Sequence, residues 1–173
     1  MSLRIGFDAK RAFQNRTGLG NYSRMIITGM AQQHPDIELV LFTPKRKGPH
    51  AHFVDDYPQV RVVEPRGLWR LCPSLWRTLA MGRKARREGV SLFHGLSHEL
   101  PLLLPRSVKA IVTMHDLIAW RYPHQFHWAD RMIYHAKFRH ACRRADTVIA
   151  VSRQTAADVE SMLHVDADKV KVV

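Results

Sequence analysis

His115 and Asp116 stand side by side at the end of a short apolar run, Val108-Lys-Ala-Ile-Val-Thr-Met114. The run reads as a buried β-strand that delivers two titratable side chains at its carboxyl end. In open α/β sheets, ligands bind in the crevice outside the carboxyl ends of the strands. A second histidine, His94, ends the apolar segment Val90 to His94 and is followed by Gly95-Leu-Ser97-His98. Two histidines delivered to one rim by neighbouring strands point to a ligand site rather than to two separate structural residues. Asp116 has an alternative role as the N-cap of the next helical turn.

A second candidate is Thr17-Gly18-Leu19-Gly20-Asn21, which opens a helix. Glycines let a backbone approach a ligand closely, and a helix amino terminus offers N–H groups and partial positive charge to a phosphate. The same residues also fit a plain flexible turn. They do not form a dinucleotide fingerprint. The third small residue of G-x-G-x-x-G would fall on Ser23, and the strand after the helix ends in Phe42-Thr43-Pro44 without a ribose-binding acid. The gap from Asp8, where the first strand stops, to Gly18 is also too long for the tight Rossmann turn.

Other chemistries lack their signatures. There is no nucleophile elbow and no P-loop. Ser152, after a strand, reads as the cap of the helix that follows. Of the 11 histidines, His94 and His98 are four apart, but Gly95 and Pro101 argue against a helix placing them on one face. His124 and His127 fall in a loop, and His135 and His140 are five apart. No spacing matches a metal-ligand set, so no metal site is expected.

Strand-like and helix-like segments alternate from end to end, which positions these residues. Strands are expected at Arg4 to Asp8, Ile37 to Thr43, Val60 to Glu64, Val90 to His94, Val108 to Met114 and Thr147 to Val151. Helices are expected at Gly20 to Gln33, Ser74 to Arg87, Trp128 to Arg144 and Gln154 to Leu163. In the first helix Tyr22, Met25, Ile26 and Met30 recur at helical spacing, and Ser74, after Pro73, is the expected cap of the second. Such alternation predicts an α/β fold, a mostly parallel open sheet with helices on both faces. Pro49 to His52 and Pro101 to Pro105 read as loops.

Composition bounds the rest. The 173 residues are 46% hydrophobic and 24% charged, ordinary for a globular chain and long enough for one domain with a real core. Cys72 and Cys142 form neither a disulfide framework nor a zinc cluster, which fits a reducing cytosol. No apolar run approaches the roughly 20 residues that span a bilayer. The opening Met1-Ser-Leu-Arg-Ile-Gly-Phe-Asp8 reads as a strand and not a signal peptide. The net charge of +12 favours an anionic partner: nucleic acid, phospholipid head groups or phosphorylated substrates. The surplus gathers at Lys45 to Lys47, at Arg83 to Arg87, and at Arg139, Arg143 and Arg144. The last two sets lie at helix carboxyl ends, where the macrodipole favours cations.

Four segments, Thr17-Gly-Leu-Gly-Asn-Tyr-Ser-Arg24, Ile111-Val-Thr-Met-His-Asp-Leu117, Arg121-Tyr-Pro123 and Arg143-Arg-Ala-Asp-Thr-Val-Ile-Ala-Val-Ser152, carry a resemblance. In this order and near this spacing, the chain resembles the amino-terminal half of a family-4 retaining glycosyltransferase with the GT-B architecture of two facing Rossmann-like domains. Lys169 to Val173 is similar to the strand that leads to the interdomain linker, and ending on that apolar stretch leads to the expectation of a fragment. The resemblance implies that residues 1–173 form a single Rossmann-like, acceptor-side domain, with the carboxyl-terminal donor-binding domain absent. It implies that Gly18 and Gly20 face the donor phosphates and that His115 serves catalysis beside the transferred sugar. It implies acceptor contacts from Asn21, His94, Ser97 and Asp116.

The parent would move a sugar, with retention, from a nucleotide-sugar donor, its substrate, to a glycan or lipid-linked acceptor, without a cofactor or metal from this half. It would stabilise the departing nucleotide diphosphate electrostatically and assemble its site by domain closure. The isolated half is expected to be inactive. A role in cell envelope polysaccharide synthesis, in the cytoplasm and peripherally on the inner face of the membrane, follows as an expectation. There, Lys45 to Lys47 and Arg83 to Arg87 would meet an anionic surface. The rival class, a basic nucleic-acid- or anion-binding module, rests on the charge alone, because no helix-turn-helix, zinc-finger or aromatic-basic signature appears. A two-domain sugar-nucleotide epimerase fits the first and last of the four segments less well.

Overall fold

The computed structural model describes residues 3–173; Met1 and Ser2 lie outside the described residues. The expected α/β, Rossmann-like fold is observed. The chain forms two compact units, one of residues 3–94 with Pro101–Lys109 and one of Gly95–Leu100 with Ala110–Val173.

The first unit begins with β1 (Arg4–Asp8), α1 (Lys10–Gln14), α2 (Gly18–Gln33), β2 (Glu38–Phe42) and β3 (Val60–Val63). It continues through α3 (Pro73–Leu75), a π-helical turn at Trp76–Ala80, and α4 (Met81–Arg87) to β4 (Leu92–Gly95). Its strands run β3-β2-β1-β4, all parallel, with Phe7 opposite both Leu41 and His94. The unbroken apolar run of β2 is buried throughout after Glu38, as a parallel strand covered on both faces requires.

The second unit holds β5 (Lys109–Met114), α5 (Ile118–Arg121), α6 (Trp128–Arg144), β6 (Thr147–Ala150), α7 (Arg153–Leu163) and β7 (Val170–Val172). Its strands run β5-β6-β7, again parallel. Ser152 caps α7 as its sequence position indicates, its Oγ accepting the Thr155 N–H at 3.0 Å. Cys142 is a core residue of α6, and burial pushes its thiol up to about 12, so it remains protonated.

Four local expectations are corrected. The helix expected over Ser74 to Arg87 is interrupted by the π-turn, which buries Trp76. Its start is not capped by Ser74: the cap position is Cys72, with no side-chain capping bond, and Pro73 takes the first helical position, where its missing N–H costs nothing. Strand β4 starts at Leu92 rather than Val90, because the end of α4 claims Val90. Gly89 turns left-handed (φ +74), and the Val90 and Gly89 amides donate to Ala85 and Arg86 carbonyls, a Schellman motif. The buried stripe of α2 is Gly20, Ser23, Ile27 and Ala31, not the Tyr22-Met25-Ile26-Met30 set; Met25 is 61% exposed. Small residues win that face because α1, a short helix with no sequence periodicity to announce it, packs closely against α2.

That close packing separates the two glycines of the Thr17–Asn21 segment. A Cβ on Gly20 would stand 2.0 Å from the Asn15 carbonyl oxygen, which only a backbone shift relieves, whereas a Cβ on Gly18 meets nothing within 4 Å. Gly20→Ala is therefore expected to destabilise the chain by about 1–3 kcal/mol. Gly18→Ala should leave stability unchanged or raise it by up to about 1 kcal/mol. Paired urea melts measure both, and equal losses would refute the distinction.

Candidate functional site

The His115–Asp116 corner is built by a turn that must fold back tightly. Gly95, at the end of β4, opens it; a Cβ there would lie 2.1 Å from the Glu99 carbonyl oxygen. His98 occupies the left-handed region (φ 61), a strained conformation for a residue with a side chain. Its backbone N–H donates to Thr113 O at 2.9 Å, so the turn is stitched to β5. The His98 ring then turns onto the strand's exit. Its Nε2 accepts the His115 N–H at 3.0 Å and stands 3.4 Å from the Asp116 N–H. A nitrogen that accepts from a backbone amide carries no proton, so His98 is the neutral tautomer with its hydrogen on Nδ1. Phe138 of α6 stacks on this ring at 4.6 Å and 7°.

His115 is held from three directions. Its amide is bound by His98, its carbonyl accepts the Thr155 hydroxyl at 3.0 Å, and its Nε2 donates to the Leu96 carbonyl at 2.9 Å. The last contact places a proton on Nε2, because a carbonyl only accepts. The two rings meet edge to face at 5.2 Å. Asp116 is exposed, and its Oδ1 accepts the Ile118 N–H at 3.3 Å, so it braces the start of α5 while Leu117 occupies the cap position. Beside this corner the Ser97 hydroxyl oxygen is buried with no hydrogen-bond partner among the described residues, an arrangement that costs free energy until something bonds to it.

The wall behind the corner is fixed electrostatically. Arg121 of α5 grips Asp158 of α7 with two bonds, 2.8 and 2.7 Å, and Gln154 adds a third at 2.9 Å. The Arg121 hydrogen bond, followed by Gln154, holds the Asp158 carboxyl below the usual range against the opposing effect of burial. Lys137 pairs with Glu99 on the turn at 3.1 Å.

The remaining sequence candidates lie in the first unit. His94 is 8% exposed and tilts against Phe7 at 5.7 Å. Gly18 is the exposed first residue of α2, and Gly20 is buried against Asn15. The Asn21 amide oxygen accepts from Arg24 Nη2 at 2.5 Å, while Arg24 Nη1 donates to the Ala12 and Asn15 carbonyls. Sequence reasoning missed Asp8 and Arg77, an almost fully buried ion pair at 2.5 Å that ties the end of β1 to the π-turn. It also missed His98, Thr155 and Phe138 as supports of His115. Their only advance signal was His98 inside the Leu92 to His98 segment. Among the described residues, no group of three or more His, Cys, Asp or Glu side chains is placed to hold a metal ion.

Burial drives the His94 imidazole down to about 4 from 6.5, so it is neutral in the folded chain near pH 7. The unfolded chain takes up that proton below pH 6.5 and the folded chain does not until about pH 4. Stability is therefore full above pH 6.5 and falls by about 3 kcal/mol as the pH drops to about 4. His94→Gln should flatten this part of the acid limb; melts across that window with an unchanged slope would refute it.

The chain matches Glycosyltransferase Family 4 over residues 16–173. A search of curated sequences finds no match. Among solved structures, a glycosyltransferase from Rickettsia africae ESF-5 superposes with a TM-score of 0.58 at 11% identity, over 99% of this chain and 42% of that one. The apo form of the lipopolysaccharide outer core galactosyltransferase WaaB gives 0.56 at 11% identity, over 99% and 45%. The wall teichoic acid polymerase TagF gives 0.53 at 12%, over 99% and 38%. At these identities the likeness is one of fold, and the chain spans less than half the length of each of these proteins. With the glycine segment, the His115 corner and the capped α7 all inside the matched span, the chain belongs to Glycosyltransferase Family 4.

Proposed function

We propose that this chain is the acceptor-side half of a retaining glycosyltransferase that moves a sugar from a nucleotide-sugar donor to a glycan or lipid-linked acceptor. The observation that carries the proposal is the three-way fixing of His115, inside a family match that covers residues 16–173. Fixed in orientation, the His115 imidazole serves as a preorganised hydrogen-bonding group beside the transferred sugar, and such groups stabilise developing charge without reorganising. Ser97 Oγ, buried and unpartnered among the described residues, gives or takes a hydrogen bond from an acceptor hydroxyl. Asp116, Asn21 and His94 complete the proposed acceptor contacts.

Gly18 and Gly20, at the amino terminus of α2, are proposed to face the donor phosphates, where backbone N–H groups and the helix dipole favour negative charge. A carboxyl-terminal domain supplies the rest of the donor site in this reading, and closure of the two domains excludes water from the reacting centre. The protein works in the cytoplasm, peripherally on the inner face of a membrane, in the assembly of an envelope polysaccharide.

The isolated 173-residue chain is expected to show no turnover with nucleotide sugars and a lipid-linked acceptor, and measurable transfer would overturn its assignment as a half-enzyme. In a protein that joins it to a donor-binding domain, His115→Ala should lower kcat about a hundredfold or more, while stability falls only by about 1–3 kcal/mol through loss of the Leu96 hydrogen bond. A kcat within a factor of about two of the parent would remove His115 from the mechanism.

A further inference from the structure

The residues from Arg66 to Arg87 contain seven cations and no acid. Arg77 is used by Asp8, and Lys84 by Glu88. The other five, Arg66, Arg70, Arg83, Arg86 and Arg87, are exposed and make no ion pair among the described residues. The helix dipole accounts for Arg86 and Arg87 at the end of α4. It does not account for Arg66, which precedes the short 3-10 turn at Gly67–Arg70.

The same stretch exposes large apolar side chains. Leu68 is 84% exposed, Leu71 79% and Leu75 52%, with Trp69 and Leu79 also open to solvent. The Pro101–Pro105 loop continues this surface. Leu102 donates its amide to the Thr78 carbonyl at 2.9 Å, and Gly82 packs directly on the Leu103 backbone, so exposed Leu102 and Leu103 stand against this helical segment. Trp69, Leu79, Arg83 and Leu103 line one shallow groove, and Arg83, Arg86, Leu102 and Leu103 line another that shares its wall. Scattered surface leucines need no explanation, but a contiguous apolar patch rimmed by charge of one sign does.

We infer that this face, Leu68 to Leu79 with Leu102 and Leu103, is a docking surface for an anionic lipid bilayer. The occupant follows from charge complementarity. The rim carries five arginines with no ion pair among the described residues against one carboxylate, Glu64, which lines the first groove and accepts the Arg46 amide at 2.7 Å, so the surface is strongly cationic and suits phosphate head groups. Leucines and a tryptophan enter the boundary between head groups and acyl chains, while arginines place their stems on apolar surface and their guanidinium groups among the phosphates. None of the described helices is long and apolar enough to cross a membrane, so the contact is one of lying on the surface. The inference deepens the proposed peripheral location and rests on it.

The test is co-sedimentation of the full chain with vesicles of phosphatidylcholine alone, or of phosphatidylcholine with phosphatidylglycerol in equal parts. Binding is expected only to the mixed vesicles and should weaken with salt. Joint replacement Arg83→Gln, Arg86→Gln and Arg87→Gln should lower the partition coefficient about a hundredfold and reduce the salt dependence. Leu68→Ser with Leu71→Ser should lower it about tenfold or more while leaving the salt dependence unchanged. All these side chains are exposed, so unchanged circular dichroism is expected to accompany each loss. Equal binding to both vesicles, or undiminished binding by either variant, overturns the inference. So does loss of binding through Met132→Ser with Ile133→Ser, which alters the exposed apolar residues of α6 instead. No nucleotide sugar is present in the assay, so failure here leaves the transfer reading intact, and failure of transfer leaves docking intact.

Discussion

A backbone N–H that leaves a buried strand must find an acceptor, and at the end of β5 the acceptor is a ring nitrogen. His98 Nε2 takes the His115 amide, and this single contact links most of what is distinctive in the second unit. To present that nitrogen, His98 adopts a left-handed backbone, the chain before it needs a glycine at Gly95, and Phe138 must cover the ring. In return the chain direction after β5 is set, and the His115 ring is oriented by the Leu96 carbonyl. Strain of this kind persists only where the surroundings over-determine it. Here Thr113, Thr155 and Phe138 supply that over-determination from a strand and two helices.

Charge divides into two populations by burial. Asp8–Arg77 and Arg121–Asp158 each place a carboxylate with 8% side-chain exposure against a guanidinium, with two nitrogens of the arginine facing the carboxylate. Removing one partner of such a pair leaves a desolvated charge, so these act as fasteners between elements distant in sequence. Arg66, Arg70, Arg83, Arg86 and Arg87, around the exposed leucines, make no such pair among the described residues, and in water they contribute little to folding. A net charge of +12 is therefore not a uniform property of the surface. Part of it is neutralised locally, and part is held unpaired beside exposed leucines.

The two glycines of Thr17-Gly-Leu-Gly-Asn21 show how one motif can serve two physical demands. Gly20 is required by the Asn15 backbone and would be required with no ligand at all. Gly18, exposed and unobstructed at the helix start, has no packing reason to be glycine. A glycine pair read from sequence alone cannot separate these demands, because the neighbour that matters to Gly20 sits on a turn set by α1, a five-residue helix without a periodic signature.

Local chemistry was enough to establish the alternation of strands and helices, the parallel character of the sheet, the cap at Ser152 and the delivery of His94 and His115 to strand ends. Each depends on residues within a few positions of one another: apolar runs that must be buried on both faces, or a hydroxyl within reach of an amide three residues on. Tertiary structure alone decided the partners. Asp8 meets Arg77 across 69 positions and Arg121 meets Asp158 across 37. The helix over Ser74 to Arg87 took a π-turn that buries Trp76, and His98, not Asp116, organises the corner around His115. Sequence patterns record what each side chain prefers, whereas pairing across the chain is set by which surfaces packing brings within hydrogen-bonding distance.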